Sequence, residues 1–369
     1  MTPPLPAARR PAGHRLFFPL ALVYGALAVP YWTAGWLGWS ATGWTAAEHA
    51  HEMLFGFALA VVGGFLLTRP SPAALAVAVV AWVLGRVAVA IDPPAAVAAA
   101  MGLAFPAVLF VLAGVPFLRT ARSGHNAVFG PLIGAFILAE ALYRLAGDDG
   151  RTGVLLALHL VALLLFAMGG RIIPAATAGE MRRRDGPPVE RVQPRAERIG
   201  LFGGIAAAAT LAFGVWPVAG AAGAAAAGVC TLIRLAGWRP LRIRDRPELW
   251  SLHLGYAWLG IGWLAIAAER LFPGATGAAW HVPAIGALGT LACAMIVRAT
   301  QQREAVPIRF PPAVTAAVLL ISLSTAARAV AGWEGASPAL PVLMAAAAAT
   351  WSLALLLILA SLRRILAGR

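Results

Sequence analysis

The sequence predicts an all-α polytopic membrane protein of about twelve transmembrane helices. Three observations predict it. The 369 residues are 60% hydrophobic and only 12% charged, with a mean hydropathy of +0.80, more apolar surface than a water-soluble core encloses. Apolar runs of roughly 18 to 22 residues recur from end to end, each long enough to cross a hydrocarbon layer of about 30 Å. Positive charge alternates from one connection to the next. Lipid offers backbone groups no partner, so such runs form helices that pair their own N–H and C=O groups.

Glycine and proline punctuate the runs. The first span, 15–37, follows Arg9, Arg10 and Arg15 and opens "LFFPLALVYGALAVPYW". It imitates a secretory leader with a weak cleavage site at Ala26–Ala28, but the apolar stretch continues past Pro30, and a retained helix is expected. Spans follow at 51–69, 72–91, 96–117, 127–146 and 153–173. A polar segment then intervenes, and six more spans lie at 199–216, 218–235, 249–270, 280–299, 311–331 and 339–362. Only "VWPVAGAAG" separates the seventh from the eighth.

Charge tests this count. The net charge is +14, and every cation is arginine. With the N-terminus cytoplasmic, only Arg86, Arg144, Arg151, Arg270 and Arg328 of the 29 fall on the outer side. That bias supports twelve spans with both termini inside. The chain then reads as one integral membrane domain: a first six-helix half at 1–173, a cytoplasmic linker at 174–198 and a second half at 199–369. The aromatic residues lie inside apolar runs rather than among basic ones, which excludes nucleic acid as a partner. Cys230 and Cys293 sit in apolar runs and form neither a disulfide framework nor a zinc spacing.

Chemistry concentrates in the histidines. "EHAHEMLFGF" opens the second span with Glu48, His49, His51, Glu52 and Met53. His281 opens the tenth span, and His159 lies in the outer half of the sixth. His253 lies near the inner end of the ninth, and His14 and His125 read as ordinary surface residues. Ionisable groups in a membrane are costly unless paired or liganded. His49, His51, His159 and His281 converge on one side, which points to metal or haem ligation, with His49, His51 and His281 as metal ligands. A helical spacing of two directs His49 and His51 about 200° apart. They share one centre only if His49 precedes the helix; otherwise they serve two. Imidazole suits iron or copper, and a thioether suits copper(I). Glu52 would orient an imidazole or relay protons. The alternative is a polar helix cap.

Arg171 and Arg298 each end a helix that carries a histidine near its other end. They would hold haem propionates or anions, or extend to the interface as ordinary snorkelling arginines. Glu140 and Arg144 read as a structural ion pair, and Arg86 and Arg328 as similar pairs or a cationic funnel. Gly56, Gly63 and Gly64 allow either close helix packing or a smooth bed for a flat macrocycle. "HEMLF" lacks the second histidine of a zinc-protease motif, and no phosphate loop or serine-hydrolase elbow is present.

"HAHEMLFGF" with the following "GFLLT", "MGGRIIP" at Met168–Pro174, "LHLGYAWLGIGWL" at Leu252–Leu264 and "WHVPAIGALGTLACAMIVRAT" at Trp280–Thr300 resemble, in order, the landmarks of the NnrS family. The resemblance implies a twelve-helix inner-membrane protein with haem, of b type, and copper as a second metal. It implies protection against nitric oxide or nitrosative stress, linked to denitrification, with nitric oxide as ligand. The matching cofactor residues are His49, His51, His253, His281, Arg171 and Arg298, with Glu52 beside them and His159 a further candidate. The chain departs from the pattern at "ATQQRE" after Arg298, where one histidine of the family pattern is missing, and at "TRPSPAA" after the second span. Rival readings are a transporter of a metal or small anion, whose polar groups belong at the membrane midplane, and a non-catalytic assembly factor for a respiratory complex, which binds no chromophore. The sequence does not identify an electron donor.

Overall fold

The computed structural model describes residues 12–41, 43–120, 127–272, 278–332 and 338–368. His125, Arg9, Arg10, Arg122 and Arg369 lie outside them. Among the described residues the chain is helical, without strands. Its principal helices are α1 (Gly13–Trp36), α2 (Ala46–Leu66), α3 (Pro72–Ile91), α4 (Ala95–Arg119), α5 (Phe129–Leu145) and α6 (Arg151–Arg183). They continue as α7 (Pro194–Leu211), α8 (Pro217–Gly237), α9 (Pro247–Leu271), α10 (Val282–Arg303), α11 (Pro312–Ala331) and α12 (Leu340–Leu366). Ten of these are long and apolar enough to cross a membrane; α5, of 17 residues, and α7, which carries Arg195, Glu197 and Arg198, fall outside that group.

Proline at the first turn opens α3, α7, α8, α9 and α11, where its missing N–H costs nothing. Ser71 caps α3 by accepting the Ala74 N–H at 3.1 Å. Among the described residues three stretches are wound as π-helix: Glu52–Ala58 in α2, Phe110–Gly114 in α4 and Val282–Ala287 in α10. Two of them begin directly after a histidine, His51 and His281. Hydropathy carries no sign of these windings, which are frequent at functional sites.

Helices α6 and α10 form the centre, with 72% and 78% of their most apolar window buried, against 33% for α3 and 28% for α4. Sequence neighbours pair, as α7 with α8 and α11 with α12, and α1 closes the arrangement by packing on α12. Trp351 of α12 donates to the Gly25 carbonyl of α1 at 2.9 Å. The largest buried apolar cluster runs from Phe17 through Leu164 to Leu362, and so crosses the division between the two sequence halves.

Helix ends sort onto two faces. On the first, which we call the basic face, the Gly13 N–H donates to the Leu67 carbonyl at 2.8 Å, joining the start of α1 to the end of α2. Arg303, ending α10, donates to the Gly64 and Phe65 carbonyls at 2.8 and 2.6 Å. His14, expected at the surface, is instead 3% exposed and bonds Glu304 at 3.1 Å, while Arg15 bonds the other oxygen. Burial opposes ionisation of Glu304, but the hydrogen bonds from His14 and Arg15 together with the positive charge beside it outweigh burial and hold the carboxyl below the ordinary glutamate value. The other face gathers the starts of α2, α6 and α10, and we call it the histidine face.

The linker is shorter than 174–198. Helix α6 runs on through Pro174 to Arg183, and α7 begins at Pro194. Ion pairs stabilise the extension. Glu180 holds Arg183, Arg184 at 2.7 Å and Arg246 at 2.8 Å, and Arg184 grips Asp245 at 2.7 Å. The same helix supplies both ends of its Glu180 pairs at spacings of three and four, so a polar composition did not end it.

Candidate functional site

The site begins at the cap of α2. Thr45 accepts the Glu48 N–H at 3.1 Å, and the Glu48 carboxylate accepts the Thr45 N–H at 2.6 Å, a reciprocal capping box. Helix therefore starts at Ala46, ahead of both histidines. With His49 and His51 on one helix two residues apart, they cannot share a centre, and they occupy different surroundings.

His51 lies in a buried charge cluster. Its Nδ1 is 2.9 Å from Glu52 Oε1 and its Nε2 is 2.7 Å from Glu140 Oε2. All three side chains are fully buried. Arg144 Nε donates to the other Glu140 oxygen at 3.0 Å, Arg86 meets Glu52 at 2.6 Å, and the Tyr24 hydroxyl donates to Glu52. The imidazole is stacked between Phe55 and Tyr143, with ring centroids at 4.8 and 4.1 Å. Gly102 makes room for the cluster, because a Cβ there would strike the Glu140 carboxylate. Two imidazole–carboxylate contacts need two protons, and neutral imidazole supplies one. The second proton sits on the other ring nitrogen or on a carboxyl. With both ring nitrogens committed to glutamates, His51 has no lone pair to offer a metal. Glu52 orients His51, and the Glu140–Arg144 pair belongs to this larger network.

His49 points the other way. Its ring stacks on Trp32 at 4.4 Å, and it borders an apolar cavity of about 180 Å³ on the histidine face. His281, Met53, Met344, Arg328 and Trp280 line the same cavity. His49 Nδ1 is buried there with no hydrogen-bond partner, as is Nε of Arg328. His159 stands behind the wall, its ring 5.4 Å from Trp280 and 5.5 Å from Trp263. Its Nδ1 is bonded to the Leu155 carbonyl at 2.7 Å, so the proton is on Nδ1 and Nε2 carries the lone pair; that Nε2 is buried and unpartnered. Leu288 lines both this cavity and a second, wholly apolar one of about 110 Å³ between Phe18, Val61, Met168 and Met295.

The donors fit a metal that brings most of its own ligands. Among the described residues no group of three His, Cys, Asp or Glu side chains could hold a bare ion. Haem iron needs only one or two axial ligands from the protein, and copper(I) accepts imidazole with thioether. Imidazoles, two thioethers and an unpartnered guanidinium nitrogen around one apolar cavity match that demand in kind, and a macrocycle would need the helices to part beyond the present volume of about 180 Å³.

The remaining candidates lie elsewhere. Arg298 is on the basic face, roughly 25 Å along α10 from His281 at 1.5 Å per residue, so it cannot hold a propionate of a haem ligated by His281. Arg171 is likewise on the basic-face side of α6, with its guanidinium 4.6 Å from the centre of the Phe129 ring. Arg328, read from sequence only as part of a pair or funnel, is the arginine that reaches the cavity. His253 contacts Thr177 at 3.3 Å and the Leu249 carbonyl at 3.1 Å, away from the cavity. Gly56 and Gly64 face Tyr24 and Phe18 rather than the cavity, which assigns them to helix packing.

The family profile described as NnrS protein matches residues 10–369, nearly the whole chain. The chain belongs to the NnrS family. No curated protein matches it. For an NnrS chain the informative signals were the histidines at helix starts. Sequence reasoning missed Met344 and underrated Arg328 because each sits in an ordinary apolar span. Nothing in the one-dimensional pattern brings the end of α11 and the start of α12 to His49.

Proposed function

We propose that this NnrS-family chain is a haem-binding protein of the bacterial inner membrane that limits damage by nitric oxide, in the setting of denitrification and nitrosative stress. One observation carries the reading: the unpartnered His49 imidazole nitrogen inside an apolar cavity that His281 and Arg328 also line. A buried donor without a partner costs about 1–3 kcal/mol, and a ligand at that nitrogen removes the cost. When bound, haem of b type would supply an iron that takes nitric oxide as a ligand. His49 would hold the iron, with His281 or His159 as the alternative imidazole, so that one position is left for nitric oxide. Arg328 would pair with a propionate. Met53 and Met344 suit copper(I) at the same cavity. The apolar walls exclude water and admit a small uncharged gas from the bilayer.

The orientation belongs to the same proposal: twelve spans in two sequence halves of six, with both termini cytoplasmic. The arginine bias supports it, and the basic face carries the start of α1 and the ends of α2 and α10.

The test is the reduced-minus-oxidised optical spectrum of protein purified from haem-supplied cells, with metal analysis on the same sample. His49→Ala and His281→Ala are expected to abolish or shift the haem bands. His253→Leu is expected to leave them in place. A colourless, metal-free wild type would overturn the proposal in favour of a transporter or an assembly factor.

A further inference from the structure

A third cavity, of about 380 Å³, opens on the basic face, and its walls are polar. Gly179 and Arg183 come from the end of α6, Arg246 and Glu248 from the start of α9, and Arg298 from α10. Small residues leave the room: a Cβ at Gly179 would meet only Arg183, at 3.9 Å. The first turn of α9, a helix of 25 residues, forms part of the wall, and the positive end of its dipole favours negative charge there.

The charges around the cavity do not balance. Arg183, Arg184, Arg246 and Arg298 face three carboxylates, Glu180, Glu248 and Asp245, and the ion pairs among them use the first three arginines. Glu180 is shared by Arg183, Arg184 and Arg246; Glu248 pairs with Arg246 at 2.6 Å; Asp245 pairs with Arg184. Arg298, half-buried, makes no direct ion pair with a carboxylate among the described residues, and Glu248, already held by Arg246, is the carboxylate whose charge reaches it. Four arginines against three carboxylates leave a net excess of one positive charge around a roomy polar cavity at a helix N-terminus.

We propose that this cavity is an oxyanion site for a phosphate group, presented by an anionic phospholipid headgroup of the adjoining leaflet or by free inorganic phosphate. Arg298 is its principal ligand, through the paired N–H donors that guanidinium offers to phosphate oxygens. Arg183 and Arg246, already neutralised in part, close the sides. The site is separate from the histidine cavity at the other end of α10 and stands whether or not haem binds there.

The experiment uses full-length protein exchanged into lipid-free dodecyl maltoside and followed by thermal unfolding. One arm titrates inorganic phosphate at constant ionic strength. The other adds dioleoyl phosphatidylglycerol in mixed micelles, with dioleoyl phosphatidylcholine as control. The wild type is expected to gain a saturable rise in Tm in at least one arm. Response to phosphate marks a soluble source, and response to phosphatidylglycerol alone marks a headgroup. Arg298→Gln should weaken the response at least tenfold. Gly179→Leu, which fills the cavity and keeps every charge, should do the same. No response of the wild type in either arm, a phosphatidylcholine response equal to that of phosphatidylglycerol, or variants that respond like the wild type would overturn the assignment.

Discussion

Replacing Glu140 with alanine tests the buried cluster most directly. Glu140 accepts one bond from Arg144 at 3.0 Å and faces His51 at 2.7 Å, with no exposure of its own. Hydrogen bonds to charged groups contribute about 1.5–3 kcal/mol each. Two of them set a loss of about 3–6 kcal/mol, and removing one partner from a buried ion pair costs about 3–5. The expected loss is therefore about 3–5 kcal/mol, a hundredfold to several thousandfold in the unfolding constant at 1.4 kcal/mol per decade. Glu140→Gln keeps one acceptor oxygen and should cost about 2 kcal/mol. Combining it with Arg144→Gln should cost less than the sum by about 1–3 kcal/mol, because the pair shares one network. The assay is reversible unfolding in mixed dodecyl maltoside and dodecyl sulfate micelles, read by far-ultraviolet circular dichroism. A Glu140→Ala loss below about 1 kcal/mol, or strict additivity of the pair, would refute the argument that these groups depend on one another.

Other outcomes follow from the same packing. Gly64→Ala should destabilise by about 1–3 kcal/mol because its Cβ would overlap the Phe18 ring, whereas Gly63→Ala, with contacts of 3.4 Å and more, should stay within about 1 kcal/mol in the same unfolding assay. Glu304 has a depressed folded-state pKa, so its stabilising contribution is present above the ordinary glutamate value and is lost as pH falls through the folded value; Glu304→Gln should flatten the acid limb of Tm against pH and leave the neutral-to-basic shape unchanged. Arg234 sits in a box of Phe166, Trp238 and Tyr256 and donates to the Tyr256 hydroxyl at 2.8 Å. Arg234→Lys should lose about 1–3 kcal/mol and shift the tryptophan emission, since a lysine cannot stack and bond at once; unchanged emission and stability would contradict that account.

The order and rough limits of the helices were legible because hydropathy and arginine placement act locally along the chain. His49, His281 and Met53 were legible for the same reason: each interrupts or borders an apolar run. What escaped was pairing at a distance. Glu140 reads as the partner of Arg144 one turn away, and only packing of α5 on α2 turns it toward His51. His14 reads as a surface residue until α10 brings Glu304 to it. Arg298 reads as a propionate anchor until the length of α10 separates it from His281. The division of His49 from His51 was half legible. The spacing allowed two outcomes, and the Thr45–Glu48 cap chose between them by starting the helix early.

The π-wound stretch Glu52–Ala58 carries a further consequence. Such a turn holds one residue more than an α-turn, so it shifts the phase of everything ahead of it by about 100° against everything behind. Behind it, Gly64 is wedged against Phe18 and cannot rotate. Ahead of it, two residues aim one imidazole at an apolar cavity and the other at a pair of carboxylates. The extra residue acts as a vernier between these two segments. Gaining or losing it would turn both imidazoles about 100° away from their present neighbours while the glycine seam stayed in register, so a single-residue deletion there would re-aim the chemistry of this helix without moving its foundation.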